Sequence, residues 1–166
     1  REAMREASQL LESGQTVLIF PEGTRTSTGE MAMFRPAVTY LALRHGIDIL
    51  PVYCEGTYRA MPRGSFVPKN RRVRVHIGQP ISARALKTAV EAAGLRPATA
   101  SQKTTLVVQR AVEALRDGKH FVLERALDEA LGRKPAIAGN GKNGHGALPA
   151  GADSETARAL QEIFVD

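Results

Sequence analysis

Thr16-Val17-Leu18-Ile19-Phe20-Pro21-Glu22-Gly23-Thr24-Arg25 joins a short apolar run to a glycine turn and an arginine. Its first five residues read as a buried strand, because an unbroken apolar run bounded by turn formers suits a strand covered on both faces. Pro21 has no backbone N–H to give a ladder, so the strand is expected to stop there. Gly23 lets the backbone pass close to a ligand where a side chain would intervene. Thr24 offers a hydroxyl, and Arg25 offers a planar fork of donors that fits two phosphate oxygens. The stretch therefore predicts a phosphate cradle, with Glu22, Gly23, Thr24 and Arg25 as binding residues and Phe20 and Pro21 in support.

On the N-terminal side, Ala3, Met4, Ala7, Leu10 and Leu11 recur at helical spacing, and Gly14 closes that helix. On the C-terminal side, Pro36 suits the start of a helix that runs to about His45 and ends at Gly46. Residues 47–54 and 72–78 read as strands, with a Pro-, Gly- and Arg-rich loop over 59–70 between them. Ser82 is an N-cap candidate for a helix that reaches Ala93 and stops at Gly94. This alternation predicts an α/β domain, a layered sheet with flanking helices, although the strands are too few for a complete sheet. Amphipathic helices are expected over 101–116 and 120–131. Residues 133–152 hold five glycines and two prolines without a period and read as a flexible linker, and Asp153 precedes a short helix over 154–164.

The chain has 166 residues, enough for one domain with a core, and 43% of them are hydrophobic. No run approaches the roughly 18 apolar residues of a spanning helix. Cys54 is the single cysteine and reads as a small buried hydrophobe at a strand end. The net charge of +6 is concentrated: Arg59, Arg63, Lys69, Arg71, Arg72, Arg74, Arg84 and Lys87 lie between Gly56 and Val90, a window without Asp or Glu. Such a window gathers anions, either an anionic membrane surface or a phosphate-bearing ligand. It also fits a solvated strand face, with Val73, Val75 and Ile77 turned inward and Arg72, Arg74 and His76 outward. Only Tyr58 and Phe66 supply aromatics there, and no helix-turn-helix, zinc or RNA-binding pattern is present, so nucleic acid is not the expected partner.

Phe20 to Arg25 resembles the third sequence block of the glycerolipid acyltransferases, the family of lysophosphatidic acid acyltransferases. Residues 30–44 resemble the turn and helix after that block, and Ile49-Leu50-Pro51-Val52 resembles the fourth. Residues 56–62 and 72–81 resemble the segments that come next, so the likeness covers about residues 1–90 in order. It implies a glycerol-3-phosphate acyltransferase-like fold, with residues 1–98 as the C-terminal portion of the acyltransferase domain and residues 99–132 as closing helices. It also implies acyl transfer from acyl-CoA or acyl carrier protein to a lysophospholipid, at the cytoplasmic face of an anionic membrane and without a metal or other cofactor. Arg25 then binds the acceptor phosphate, Arg35 flanks a helix N-terminus that favours an anion, and Pro51 shapes a strand end beside the site. Glu22 holds Arg25, bonds loop amides or pins the turn.

Two blocks of that pattern are missing: the first, which carries the base, and the second, a strand ending in an arginine. The family's base is a histidine five residues before an aspartate, and here the fifth residue after each histidine is Leu50, Ile81, Arg125 or Ala150. The spacing of His45-Gly46-Ile47-Asp48 does not match. Because the sequence opens inside a helical pattern, the expectation is a fragment of an active enzyme, inactive as isolated. The alternatives are a protein that has lost its base and a non-catalytic module that binds anionic lipid or membrane.

Overall fold

Leu86 and Val107 are fully buried, and the secondary structure gathers around them. A computed structural model of the chain describes residues 2–133. These form α1 (Glu2–Glu12), α2 (Ala37–His45), β1 (Val52–Glu55), α3 (Thr57–Ala60), β2 (Arg74–Ile77), α4 (Ala83–Ala92), α5 (Pro97–Arg116) and α6 (Leu123–Leu131). The linker expected from 133 and the helix expected after 153 lie, beyond Arg133, outside the described residues.

The helix ends follow local chemistry. Gly46 takes the left-handed conformation that ends α2, with φ 66°. The Ser82 hydroxyl accepts from the Ala85 N–H as the cap of α4, and the Asp48 carboxylate accepts from Ala83 N–H at 2.9 Å. The expected 101–116 helix starts earlier, at Pro97, where a missing N–H has no intrahelical partner to lose.

Helix α5 is the spine of the core. It buries Val107, Val108 and Ala111 against Ala42 of α2, Leu86 of α4 and Ala126 and Ala130 of α6. Small residues and hydroxyls line the α2–α5 seam: Thr39 Oγ1 lies 2.8 Å from both the Ser101 carbonyl oxygen and Thr105 Oγ1. Burying these hydroxyls is tolerable because each has a partner.

Strands β1 and β2 pair antiparallel, with Val52 opposite Ile77, Tyr53 opposite His76, Cys54 opposite Val75 and Glu55 opposite Arg74. The strand expected over 47–54 is cut short by Pro51, which has no N–H for the ladder. Its carbonyl still accepts from Gly78 N–H, and the pairing resumes beyond it as an Ile49–Ile81 bridge. The strand expected over 16–20 is not found. That segment joins no ladder among the described residues, and Leu18 and Phe20 are 74% and 73% exposed. A strand buried on both faces needs neighbours on both, and β1 and β2 pair only with each other.

The inward turn expected of Val73, Val75 and Ile77 is likewise corrected: they are 45%, 55% and 50% exposed. Pleat parity explains it. A Cβ on Gly78 would meet Pro51 Cγ at 3.0 Å and Leu115 of α5 at 3.3 Å, so the face bearing Pro51, Tyr53, His76 and Gly78 meets α5. The opposite face, with Val52, Cys54, Val75 and Ile77, has no layer over it among the described residues. Cys54 is therefore half-buried rather than buried. The domain combines helices with a small sheet covered on one side, which is compatible with the α/β class.

Candidate functional site: an arginine-flanked glycine turn

Phe20 to Gly23 form a tight turn closed by Gly23 N–H donating to the Phe20 carbonyl at 3.0 Å. Pro21 occupies the second position, where its fixed φ fits, and Gly23 follows with φ 71°. The need for glycine there is double. Beyond the left-handed backbone, a Cβ would stand 3.0 Å from Arg35 Nε and 3.1 Å from Arg35 Cζ. The Arg35 guanidinium thus lies against the turn, and the Arg35 backbone N–H donates to the Pro21 carbonyl at 2.8 Å.

Glu22 settles among its three expected roles. Its Oε2 accepts from Ala32 N–H at 2.7 Å, bonding a loop amide, and it makes no ion pair with Arg25 among the described residues. Residues 32–35 are in turn held by α5, where Gln109 Oε1 accepts from Phe34 N–H at 3.2 Å while its amide donates to Glu113. Thr24, Arg25 and Arg35 are exposed. Helix α2 follows directly on Arg35 and Pro36 and has no side-chain cap at its N-terminus. The result is a tight turn with the Arg35 guanidinium against it, Arg25 exposed two residues further on, and the N-terminus of α2 next in sequence.

Pro51 is buried against Gly78 and does its work in the sheet. His45 and Asp48 do not act on each other: Asp48 caps α4, while His45 Nε2 lies 2.6 Å from Ser8 Oγ and ties α1 to α2. Glu12 stands 3.8 Å from His45 Nδ1, too far for the hydrogen bond that orients a catalytic imidazole. His76 is half-buried beside the Tyr53 ring and Glu55, and its hydrogen bond, then that of Arg74, holds the Glu55 carboxyl below its ordinary range. No group of three His, Cys, Asp or Glu stands together to hold a metal among the described residues. No helix among them is long and apolar enough to cross a membrane.

Sequence reasoning passed over two contributors. Gln109 interrupts the apolar spacing of α5, and that polar interruption is the signal of its link to the loop. Tyr58 donates its hydroxyl to the Ser27 carbonyl at 3.0 Å and packs against Gly29, joining α3 to the turn-bearing loop. A lone exposed tyrosine gave no signal.

Residues 1–55, which include the turn, match the family described as Acyltransferase. More particularly, the chain is similar to 1-acyl-sn-glycerol-3-phosphate acyltransferases. The chloroplastic enzyme of Arabidopsis thaliana is 33% identical over 81 residues, 48% of this chain and 23% of that protein. The chloroplastic enzyme of Brassica napus is 32% identical over 81 residues, 48% of this chain and 24% of that protein. The Pseudomonas aeruginosa enzyme is 33% identical over 79 residues, 47% of this chain and 30% of that protein. The chain thus spans between 23% and 30% of the length of these relatives. No solved structure matches it.

Proposed function

We propose that this chain is the acceptor-binding part of an O-acyltransferase that moves an acyl group from a thioester donor, acyl-CoA or acyl carrier protein, to a 1-acylglycerol 3-phosphate-type lysophospholipid. The observation that carries the reading is the Gly23 turn, with Arg35 laid against its backbone and Arg25 exposed beside it. Arg25 donates two N–H bonds to the acceptor phosphate, the Thr24 hydroxyl adds a third, and Arg35 with the α2 N-terminus balances the remaining charge. The phosphate anchors the acceptor so that its free hydroxyl is presented to the thioester.

In the transfer itself, the hydroxyl oxygen attacks the thioester carbonyl, the C–S bond breaks, and a base passes the proton to the leaving thiolate. No histidine of this sequence stands five residues before an aspartate, so the base comes from residues outside it, and the isolated chain binds without turnover. The apolar face of β1 and β2, where Val75 and Ile77 are exposed among the described residues, supports a domain completed by further chain. In this reading the protein works at the cytoplasmic face of a membrane, and the acceptor-binding fold is that of a glycerol-3-phosphate acyltransferase-like domain.

A non-catalytic module that binds anionic lipid is the second reading, favoured by Arg59, Lys69 and Arg71, which line one cleft and make no ion pair among the described residues. Two steps separate them: reading the coding sequence upstream of Arg1, then assaying acyl transfer by the product of the whole frame. An in-frame His-x-x-x-x-Asp and acylation of lysophosphatidic acid are expected. A start codon directly before Arg1, or an upstream block without its histidine, defeats the enzyme reading.

A further inference from the structure

Tyr58, Arg59, Pro62, Lys69 and Arg71 line an open cleft of about 530 Å³ that contains no carboxylate. Its construction is local and specific. The α3 helix starts at Gly56, whose left-handed backbone lies so close to the next segment that a Cβ would meet the Arg72 carbonyl oxygen. That approach brings Arg71 to α3. The loop then folds back on the helix, with Lys69 N–H donating to the Ala60 carbonyl at 2.7 Å, which sets Lys69 near Arg59. The Tyr58 hydroxyl anchors the cleft to the loop that carries Thr24 and Arg25.

Arg59, Lys69 and Arg71 are exposed and take part in no ion pair among the described residues, whereas Arg74 and Arg110 have carboxylate partners. Three like charges held together without a counter-charge repel one another, and an anion of several charges relieves that repulsion. A single phosphate is already provided for at the Gly23 turn, and this cleft is lined by other residues.

We propose that the cleft is a second anion site, for the clustered phosphates of a nucleotide-bearing thioester donor such as coenzyme A. The proposal rests on the acyltransferase reading for the presence of a donor, and its shared chemistry with a lipid headgroup is the phosphate. Tyr58 couples the two sites, so that donor and acceptor phosphates are gripped by adjoining segments of one scaffold.

Calorimetric titration of the full chain with coenzyme A, with glycerol 3-phosphate and with phosphatidylglycerol vesicles tests this. Coenzyme A is expected to bind, and saturating glycerol 3-phosphate to leave it bound. The double variant Arg59→Gln/Lys69→Gln should lose at least tenfold in coenzyme A affinity. The equal charge loss of Arg84→Gln/Lys87→Gln on α4 should change it less than twofold. Arg25→Gln should weaken glycerol 3-phosphate and spare coenzyme A, so a failure of the acceptor reading shows in that variant alone. Equal losses in the two double variants, displacement by glycerol 3-phosphate, or no coenzyme A binding would each overturn the assignment. Vesicle binding through Arg59 and Lys69 without coenzyme A binding would overturn it in favour of a lipid surface.

Discussion

Gly56→Ala tests the backbone approach on which the basic cleft depends. At φ 87° an alanine enters the left-handed region, which costs about 1–2 kcal/mol. Its Cβ would also lie 3.4 Å from the Arg72 carbonyl carbon and closer still to its oxygen, so the segment entering β2 must move away. Forcing such a displacement in packed structure costs about 1–3 kcal/mol, and the stiffer unfolded chain offsets about 0.4–1 kcal/mol. The net loss is about 2–4 kcal/mol, which at a urea dependence of about 2 kcal/mol/M lowers the midpoint by about 1–2 M. Gly14→Ala is the control, because Gly14 has φ 81° but nothing within 4 Å of the added carbon. It carries the backbone strain without the clash, less the same unfolded-chain offset, a net of about 0.5–1 kcal/mol that should shift the midpoint by about 0.5 M or less. Equal shifts in the two variants would refute the close approach at Arg72.

Leu86→Ala removes a fully buried side chain from the core cluster that α4 shares with α2 and α5 and should destabilise by about 2–5 kcal/mol in the same urea titration. Glu22→Ala removes the acceptor of the Ala32 amide and should cost about 1 kcal/mol, with faster hydrogen exchange at Ala32 as the specific readout. Arg116, then Lys119, hold the Asp117 carboxyl at about 2, below its ordinary value. A depressed carboxyl adds stability that is complete above the unfolded value of about 3.9 and fades as pH falls through about 2, so carbon-detected NMR should place the Asp117 midpoint near the lower figure.

The helices were legible because their signals are local: Gly46 and Ser82 act within one turn of the helix they end or begin. The turn at Phe20–Gly23 was legible for the same reason, since Pro21 and Gly23 dictate their own geometry. Residues 16–20 were misread as a buried strand because burial is a property of neighbours, and apolar composition says nothing of whether a partner strand is there. The same holds for Val75 and Ile77, whose alternation correctly divides the strand into two faces but not which face α5 covers. Gly78 and Leu115 decide that, from 37 positions apart in the sequence. Glu22 had three roles open until the fold brought Ala32 to it, and the basic residues read as one long window sort, in the structure, into a cleft at Arg59, Lys69 and Arg71 and paired or scattered charges elsewhere.

The most direct test of the acceptor assignment is the KM for lysophosphatidic acid in the Arg25→Ala variant of the protein encoded by the whole reading frame. Loss of charge-assisted bonds worth about 1.5–3 kcal/mol predicts a KM raised about tenfold to a hundredfold, with kcat changed much less. An unchanged KM would contradict the account.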